Sequence, residues 1–274
     1  MKLAQNWSNT AYNPSTSSEN QIHSDEMAKK YGFKGGLVPG VTVSSYLMHP
    51  GVIAWGEDWL NHGYAKVKVH KPLYDSYQFD VEVQASLEDN ASEEAYEASL
   101  RDQNGILCAT GSFSLNKQAK APAFRGDPVL EKDYQKPAAT QAQMESLKNK
   151  AMFALPAKWS NKIDMASYLR DMTLMPEIHN FDGQALANGS FMLGLTNWVL
   201  AGNVYMNPWI HLETESQYFA KVENETKLIV ECEIEDLFSK GGHEFVDVRV
   251  NAFTWDSKDC VMSAKLRAIY KVRT

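Results

Sequence analysis

Cysteine is scarce in this chain, with only three residues among 274, and no two of them lie close together. They are Cys108, Cys232 and Cys260. This number and spacing exclude a disulfide framework and the paired CxxC pattern of a structural zinc site. Each cysteine lies in an apolar, strand-like run, so we expect all three to be small buried side chains.

The chain also lacks an excess of positive charge and any long apolar run. The chain has 27 lysines and arginines against 34 aspartates and glutamates, a net charge of −7, which leaves no basic footprint for the phosphates of a nucleic acid. No run approaches the roughly 20 apolar residues of a membrane span, and the polar start MKLAQN lacks the apolar core of a signal peptide. We therefore expect a cytoplasmic protein that binds neither nucleic acid nor membranes.

Several catalytic and cofactor motifs are missing as well. The chain has no GxSxG nucleophile elbow, no Walker A loop and no GxGxxG after a strand, so hydride and phosphoryl transfer lose their main support. The seven histidines show no HExxH or other metal-ligand spacing, and we expect neither a metal nor a cofactor. Apolar residues, by contrast, make up 44% of the chain, enough for a large packed core.

Two copies of one structural unit follow each other along the chain. The segment LVPGVTVSSYL at residues 37–47 resembles LANGSFMLGLT at residues 186–196, each a small-residue turn before an apolar helix. Their glycines, Gly40 and Gly189, stand 149 positions apart. In the first copy, Pro50 predicts a break or kink, because proline cannot continue a helix undisturbed.

The same offset aligns alternating apolar positions, which are typical of a half-buried strand. These positions are Phe79, Val81, Val83 and Ala85 in the first copy and Leu228, Val230, Cys232 and Ile234 in the second. An offset that carries both a helix and a strand indicates a tandem repeat. Each copy therefore reads as a central apolar helix followed by three or four long antiparallel strands, an α+β unit.

We predict the following boundaries for the two units. The first covers residues 1–118. A connector rich in Lys, Ala, Pro and Gln covers residues 119–140 and is expected to lie on the surface. The second unit covers residues 141–274 and opens on a segment of helical composition from Gln141 to Met152.

One stretch, just before the first apolar helix, has the composition of a reactive site. It reads SENQIH at residues 18–23, continues as a short helix capped by Ser24, and ends in the turn GGLVPGV at residues 35–41. His23 is a candidate acid/base group, because imidazole titrates near neutral pH. The Gly40 N–H is a candidate donor for a developing negative charge at a helix start. The alternative is that His23 and Asn20 only satisfy backbone groups.

These residues resemble the hydratase motif of the MaoC-like hotdog family, which comprises (R)-specific enoyl-CoA hydratases and dehydratases. That motif runs Gly-Asp-x-Asn-Pro-Ile-His, then a short helix ending in Gly-Phe, then a turn ending in His-Gly. Here residues 19–23 read ENQIH, residues 32–33 read GF and residues 37–41 read LVPGV. The resemblance implies a double hotdog, in which each antiparallel sheet wraps around a long central helix and one chain replaces a homodimer.

The resemblance also implies roles for individual residues. Asn20 matches the motif asparagine, His23 the catalytic histidine, and Gly40 the glycine whose N–H faces the thioester carbonyl. Pro39 and Val41 would contact the substrate together with Asn20. The motif aspartate is replaced by Ser18, so only Glu19, one residue further on, can supply a nearby carboxylate.

The second half lacks this motif, because Met172 stands 149 positions after His23. We expect that half to complete the pocket as a scaffold.

The activity implied is that of a hydratase or dehydratase, a lyase, acting on an acyl thioester of coenzyme A or of an acyl carrier protein. Two alternatives stay open. One is an acyl-CoA thioesterase on the same fold, in which Glu19 activates water. The other is a non-catalytic protein that binds an acyl or hydrophobic ligand, since Ser18 replaces the expected aspartate. Hotdog sheets commonly pair, so a homodimer is compatible with the resemblance.

Overall fold

The computed structural model describes residues 4–85, 94–148, 150, 152–170, 179 and 185–273. The helices are α1 (Asp25–Lys30), α2 (Gly40–Trp55), α3 (Glu57–His62), α4 (Gln141–Lys148), α5 (Asn161–Asp164) and α6 (Gly189–Asn203), with 3-10 turns at Gln21–His23 and Met165–Ser167. The strands are β1 (Trp7–Thr10), β2 (Gly63–Val69), β3 (Gln78–Ala85), β4 (Ala95–Asp102), β5 (Leu107–Leu115), β6 (Leu155–Lys158), β7 (Ile210–Tyr218), β8 (Lys227–Lys240), β9 (His243–Thr254) and β10 (Cys260–Lys271).

These ten strands form one antiparallel sheet in the order β1-β3-β4-β5-β2-β7-β10-β9-β8-β6. Read from its two ends, the sheet gives β1-β3-β4-β5-β2 for the first half and β6-β8-β9-β10-β7 for the second. Each strand of the first half thus has a counterpart at the same place in the second, and the two halves repeat one topology. They are joined at the centre by the pairing of β2 with β7, where Val67 lies opposite Thr214. The apolar positions that the 149-residue offset aligned fall on the equivalent strands β3 and β8.

The two long helices form the centre of the core. Every residue of α2 from Val41 to Val52 is buried, and α6 is nearly as well covered. A helix that is apolar all around must be buried on all sides. Here the sheet covers both helices, and they also pack against each other. Each half therefore places five strands around one long helix.

Helix α2 continues through Pro50, so the predicted break is wrong. Pro50 has no N–H to donate to the carbonyl of Tyr46, and Trp7 Nε1 donates to that carbonyl instead at 3.0 Å. One residue further on, the Tyr96 hydroxyl donates to the Leu47 carbonyl at 2.9 Å and accepts from the Gly51 N–H at 3.1 Å. Side chains from the sheet thus replace the hydrogen bonds that proline disrupts.

The connecting segment between the halves lies against β8. The Glu231 carboxylate, which is fully buried, accepts hydrogen bonds from the backbone N–H groups of Arg125, Gly126 and Asp127 at 3.0, 2.7 and 3.0 Å. After this segment, α4 begins at Gln141, where the composition indicated a helix.

The three cysteines are buried and free, as predicted. Within the described ranges, no helix is long and apolar enough to cross a membrane.

Candidate functional site

His23 lies at the end of the first 3-10 turn and is half-buried. Its Nδ1 is 2.7 Å from the carbonyl oxygen of Leu37. A carbonyl oxygen only accepts, so Nδ1 carries the proton and Nε2 is left as a free base. Burial lowers the pKa of His23, and the hydrogen bond to Leu37 opposes this only in part. The neutral imidazole is therefore the stable form at neutral pH.

The backbone of His23 is fixed by close packing on its carbonyl group. Asn13 Nδ2 donates to the His23 carbonyl oxygen at 3.0 Å. A Cβ at Gly36 would lie 2.1 Å from that oxygen, so only glycine fits at residue 36. Directly after His23, Ser24 caps α1 by accepting from the Met27 N–H, as the sequence predicted. The imidazole is thus held at a fixed place in front of α2.

Asn20 ties the His23 loop to the second half of the chain. Its Oδ1 accepts from the Trp209 N–H at 3.2 Å, and its Nδ2 donates to the Trp209 carbonyl at 2.9 Å. The same Nδ2 is 3.4 Å from His23 Nε2. Asn20 therefore bridges the two halves and places an amide donor beside the free nitrogen of the imidazole.

The start of α2 supplies unpaired backbone donors next to this imidazole. The N–H groups of Thr42 and Val43 donate to the Pro39 carbonyl, and the described hydrogen bonds include none from the N–H of Gly40 or Val41. A helix always leaves such donors in its first turn. A Cβ at Gly40 would lie 2.8 Å from His211 Cδ2. Glycine is thus required here by the His211 ring, a packing reason that the sequence did not show.

Two cavities meet at these residues. The smaller, about 190 Å³, has Gly40 in its wall together with His211 and apolar side chains. The larger, about 430 Å³, has Pro39, Val41 and Glu19 in its wall. The residues common to both cavities are Asn20, His23, Asn197 and Trp209. His23 therefore lies at the junction of the two cavities, in the wall that they share.

Glu19 also faces the larger cavity, but its side chain is 69% exposed and forms an ion pair with Lys136 of the connecting segment. No hydrogen bond joins Glu19 to His23 among the described residues. The Ser18 hydroxyl donates to the Asn20 carbonyl at 3.1 Å and stays within the loop. The structure thus brings Asn20, His23 and Gly40 together and leaves Glu19 beside them with a different partner.

The second half contributes three residues that sequence reasoning missed as parts of the site. They are Asn197 on α6, Trp209 just before β7, and His211 on β7. His211 Nδ1 lies 3.0 Å from Asn197 Oδ1, and its Nε2 lies 2.5 Å from Thr214 Oγ1. Burial lowers the pKa of His211 to about 3. Their spacing along the chain carries no motif, and the only available signal was the pairing of the two halves.

Two further expectations concern the second half and metals. Met172, the counterpart of His23, lies outside the described residues. Within the part of the chain that the structure covers, no group of three or more His, Cys, Asp or Glu residues is placed to hold a metal ion.

Comparison with known proteins shows the fold. No protein-family model and no curated protein matches the sequence. A conserved hypothetical protein from Mycobacterium tuberculosis, described as having a double hotdog fold, aligns with 98% of this chain and 96% of its own at 15% identity and a TM-score of 0.60. A Chloroflexus aurantiacus protein described as a MaoC domain dehydratase aligns with 100% of this chain and 97% of its own at 12% identity and a TM-score of 0.57.

A third solved structure carries a different description. The tesB protein from Mycobacterium avium subspecies paratuberculosis aligns with 86% of this chain and 88% of its own at 10% identity and a TM-score of 0.51. The predicted α+β tandem architecture is therefore confirmed: this chain has a double hotdog fold, similar to that of MaoC-like dehydratase structures.

Proposed function

We propose that this protein is an acyl-thioester hydratase or dehydratase, a hydro-lyase, with His23 as its acid/base group. One observation carries the proposal: His23, whose Nε2 is unprotonated, lines both cavities, and it shares the smaller one with Gly40, whose N–H is unpaired at the start of α2. The likeness in fold to a MaoC domain dehydratase supports the choice of reaction.

The hydration step needs one proton carrier and one site for negative charge. His23 Nε2 takes a proton from water as the water oxygen bonds to Cβ of the enoyl thioester. The electron pair of the double bond moves toward the thioester oxygen, where the N–H of Gly40 and the positive end of α2 stabilise the enolate. The imidazolium then returns its proton to Cα. Dehydration runs through the same steps in reverse.

The other candidate residues surround this reaction. Asn20 keeps an amide donor beside His23 Nε2 and fixes the loop to Trp209. Pro39 and Val41 would contact the substrate along the larger cavity. Glu19 would hold the water molecule, or orient it toward His23, with its carboxylate balanced by Lys136. The substrate would be a thioester of coenzyme A or of an acyl carrier protein.

A second candidate function is hydrolysis of an acyl-CoA thioester. The carboxylate of Glu19 in the wall of the larger cavity favours it, because Glu19 would then activate the water that attacks the carbonyl carbon. Hydrolysis requires only a base that activates water against the carbonyl carbon and donors for the resulting oxyanion. The tesB protein is similar in fold.

Two substrates separate these functions. The protein is incubated with crotonyl-CoA and with butyryl-CoA, and both enoyl absorbance and free thiol are followed. Loss of enoyl absorbance without thiol is the result we expect, whereas thiol release from butyryl-CoA would establish hydrolysis instead. Turnover of neither substrate, with binding of both, would refute the enzymatic proposal and favour a ligand-binding protein.

A histidine substitution with a matched control tests the assigned base. His23→Gln should lower kcat by about 10²-fold or more, in line with the loss of a general acid/base. His243→Gln removes a histidine whose Nδ1 accepts from the Arg273 N–H and which lies in neither cavity, and it should leave kcat unchanged. Because burial lowers the pKa of His23, the rate should be constant around neutral pH and fall only under acidic conditions, where the imidazole takes up a proton.

A further inference from the structure

The side-chain amide of Asn197 has a hydrogen-bonded oxygen and an unpaired nitrogen. Its Oδ1 accepts from His211 Nδ1 at 3.0 Å. No hydrogen bond from its Nδ2 occurs among those of the described residues. Asn197 is half-buried and lines both cavities, as His23 does. The two N–H bonds of its amide are therefore available at the junction where the proposed function places the thioester.

The proton positions around His211 follow from its partners. Asn197 Oδ1 only accepts, so His211 Nδ1 carries the proton. His211 Nε2 must then accept, and Thr214 Oγ1, 2.5 Å away, is the donor. The chain of donors thus runs from the Thr214 hydroxyl through the imidazole to the Asn197 oxygen. This order keeps the amide oxygen turned to the ring and the amide nitrogen turned away from it.

The same ring also touches the start of α2. A Cβ at Gly40 would lie 2.8 Å from His211 Cδ2 and 3.0 Å from Cγ, so the Gly40 backbone lies directly against the imidazole. Gly40, His211 and Asn197 all line the smaller cavity. The buried imidazole of His211 thus fixes the positions of both unpaired donors, the N–H of Gly40 and the Nδ2 of Asn197.

We propose that the side-chain amide of Asn197 donates a hydrogen bond to the thioester carbonyl oxygen, as a second donor beside the Gly40 N–H. His211 and Thr214 are positioning residues that hold this amide in its orientation. The inference rests on the proposed function for the identity of the ligand as a thioester. It assigns a direct role to the half of the chain that lacks the sequence motif.

The chemical reason is the distribution of charge in the reaction. Negative charge develops on the thioester oxygen in hydration and in hydrolysis alike, so a fixed donor at that oxygen assists either reaction. A neutral amide held in a buried network needs no reorganisation when the charge develops. A single backbone N–H is one donor, and Asn197 supplies the other from the opposite helix, α6.

Two pairs of variants test the proposal. Asn197→Ala removes the amide, and Asn197→Asp keeps its shape but replaces the donor with an acceptor. Thr214→Val keeps the shape of threonine but removes the hydroxyl, and Thr214→Ser keeps the hydroxyl. Urea unfolding of each variant shows whether the fold is retained.

We measure kcat and KM with crotonyl-CoA and butyryl-CoA. We also measure the fraction of bound acetoacetyl-CoA present as enolate, from its ultraviolet absorbance at fixed pH. The enolate fraction reports hydrogen-bond donors at the carbonyl oxygen and requires no turnover.

We expect both Asn197 variants to lose about 10²-fold in kcat with little change in KM, the effect of removing one oxyanion donor. Both should also lower the enolate fraction of bound acetoacetyl-CoA. Thr214→Val should also lower both kcat and the enolate fraction, whereas Thr214→Ser should keep both near their wild-type values. A purely structural role of Thr214 would change stability without changing the enolate fraction.

The remaining outcomes separate this inference from the proposed function. Wild-type turnover together with an unchanged kcat and enolate fraction in Asn197→Ala would overturn the role of Asn197 and leave the proposed function intact. Absence of turnover together with an enolate fraction that depends on Asn197 would overturn the proposed function and support the donor. Absence of acetoacetyl-CoA binding would overturn both. Equal readouts for Thr214→Val and Thr214→Ser would overturn the positioning role.

Discussion

Replacing Gly40 by alanine should impair the protein far more than the same change at Gly189, its counterpart in the second half. At Gly40 the new methyl group would lie 2.8, 3.0 and 3.1 Å from three atoms of the His211 side chain. Carbon atoms in contact prefer about 3.5–4.0 Å. The ring would therefore have to retreat by about 0.7 Å. His211 is held by Asn197 and Thr214, so any retreat disturbs both hydrogen bonds.

The expected loss of stability follows from two opposing effects. Overpacking of a well-packed site costs about 1–3 kcal/mol, and alanine recovers about 0.5–1 kcal/mol relative to glycine within a helix. We expect Gly40→Ala to lower the free energy of unfolding by about 1–2 kcal/mol. The activity should fall more steeply, because the displaced ring carries the Asn197 amide and the Gly40 N–H out of alignment. A decrease in kcat of about 10²-fold corresponds to the loss of one oxyanion donor.

Gly189→Ala is the matched control. Gly189 begins α6 as Gly40 begins α2. A Cβ there would meet Ser45 Oγ at 2.9 Å and Met48 Cε at 3.1 Å, which belong to side chains that line neither of the two cavities. We expect an unchanged kcat in turnover of crotonyl-CoA, and a decrease in the free energy of urea unfolding that is no larger than that of Gly40→Ala. Equal effects of the two substitutions would refute the argument that the rigid His211 ring makes glycine necessary at residue 40.

Three further predictions concern acid stability, the Asn20 bridge and Glu19. Burial lowers the pKa of His49 and of His211 to about 3, against about 6.5 in an unfolded chain. Their contribution to stability is therefore complete above pH 6.5. As the pH falls from there toward about 3, the free energy of unfolding should decrease by about 1.4 kcal/mol per pH unit for each histidine. Urea unfolding at pH 7, 6 and 5 measures this, and a constant stability over that range would contradict it. Asn20→Ala removes both side-chain hydrogen bonds to the backbone before β7 and should cost about 1–3 kcal/mol, whereas Gln21→Ala, at an exposed side chain, should be neutral. Glu19→Gln breaks only an exposed ion pair, worth less than about 1 kcal/mol, so stability should not change. A fall in kcat would then place the Glu19 carboxylate in the reaction, and an unchanged kcat would remove it.

The sequence was sufficient to predict the fold because the chain repeats itself. Gly40 and Gly189 begin the two long helices, and the offset between them also aligns β3 with β8. The repeat thus predicted two α+β units, and the resemblance to the MaoC-like hotdog family implied that they pair as a double hotdog. The joint ten-stranded sheet was not predicted. The helix break at Pro50 was wrong for a reason outside the local pattern. Trp7 and Tyr96, far away in sequence, satisfy the carbonyl groups that proline leaves open.

The site could be predicted only in part, and the division follows the distance along the chain. Asn20, His23 and Gly40 lie within one continuous stretch, so a local pattern is enough to group them. Trp209 and His211 reach the smaller cavity through the pairing of β2 with β7. No spacing rule connects residue 23 with residue 211. Glu19 is close to His23 in the sequence, but its ion pair is with Lys136, a residue of the predicted connector. Proximity along the chain was therefore not enough to predict the partner of Glu19.

The two helix starts differ in the space that the described residues leave in front of them. In front of Gly40 the opposing side chain is the compact ring of His211, and a cavity of about 190 Å³ remains. In front of Gly189 the opposing space is filled by larger side chains, among them Trp59 and Tyr168, and only about 10 Å³ remains. That volume is at the lower limit for one water molecule and is too small for a thioester. Among the described residues, the open position is therefore the one in front of α2, and the second half contributes Asn197 and His211 to its cavity.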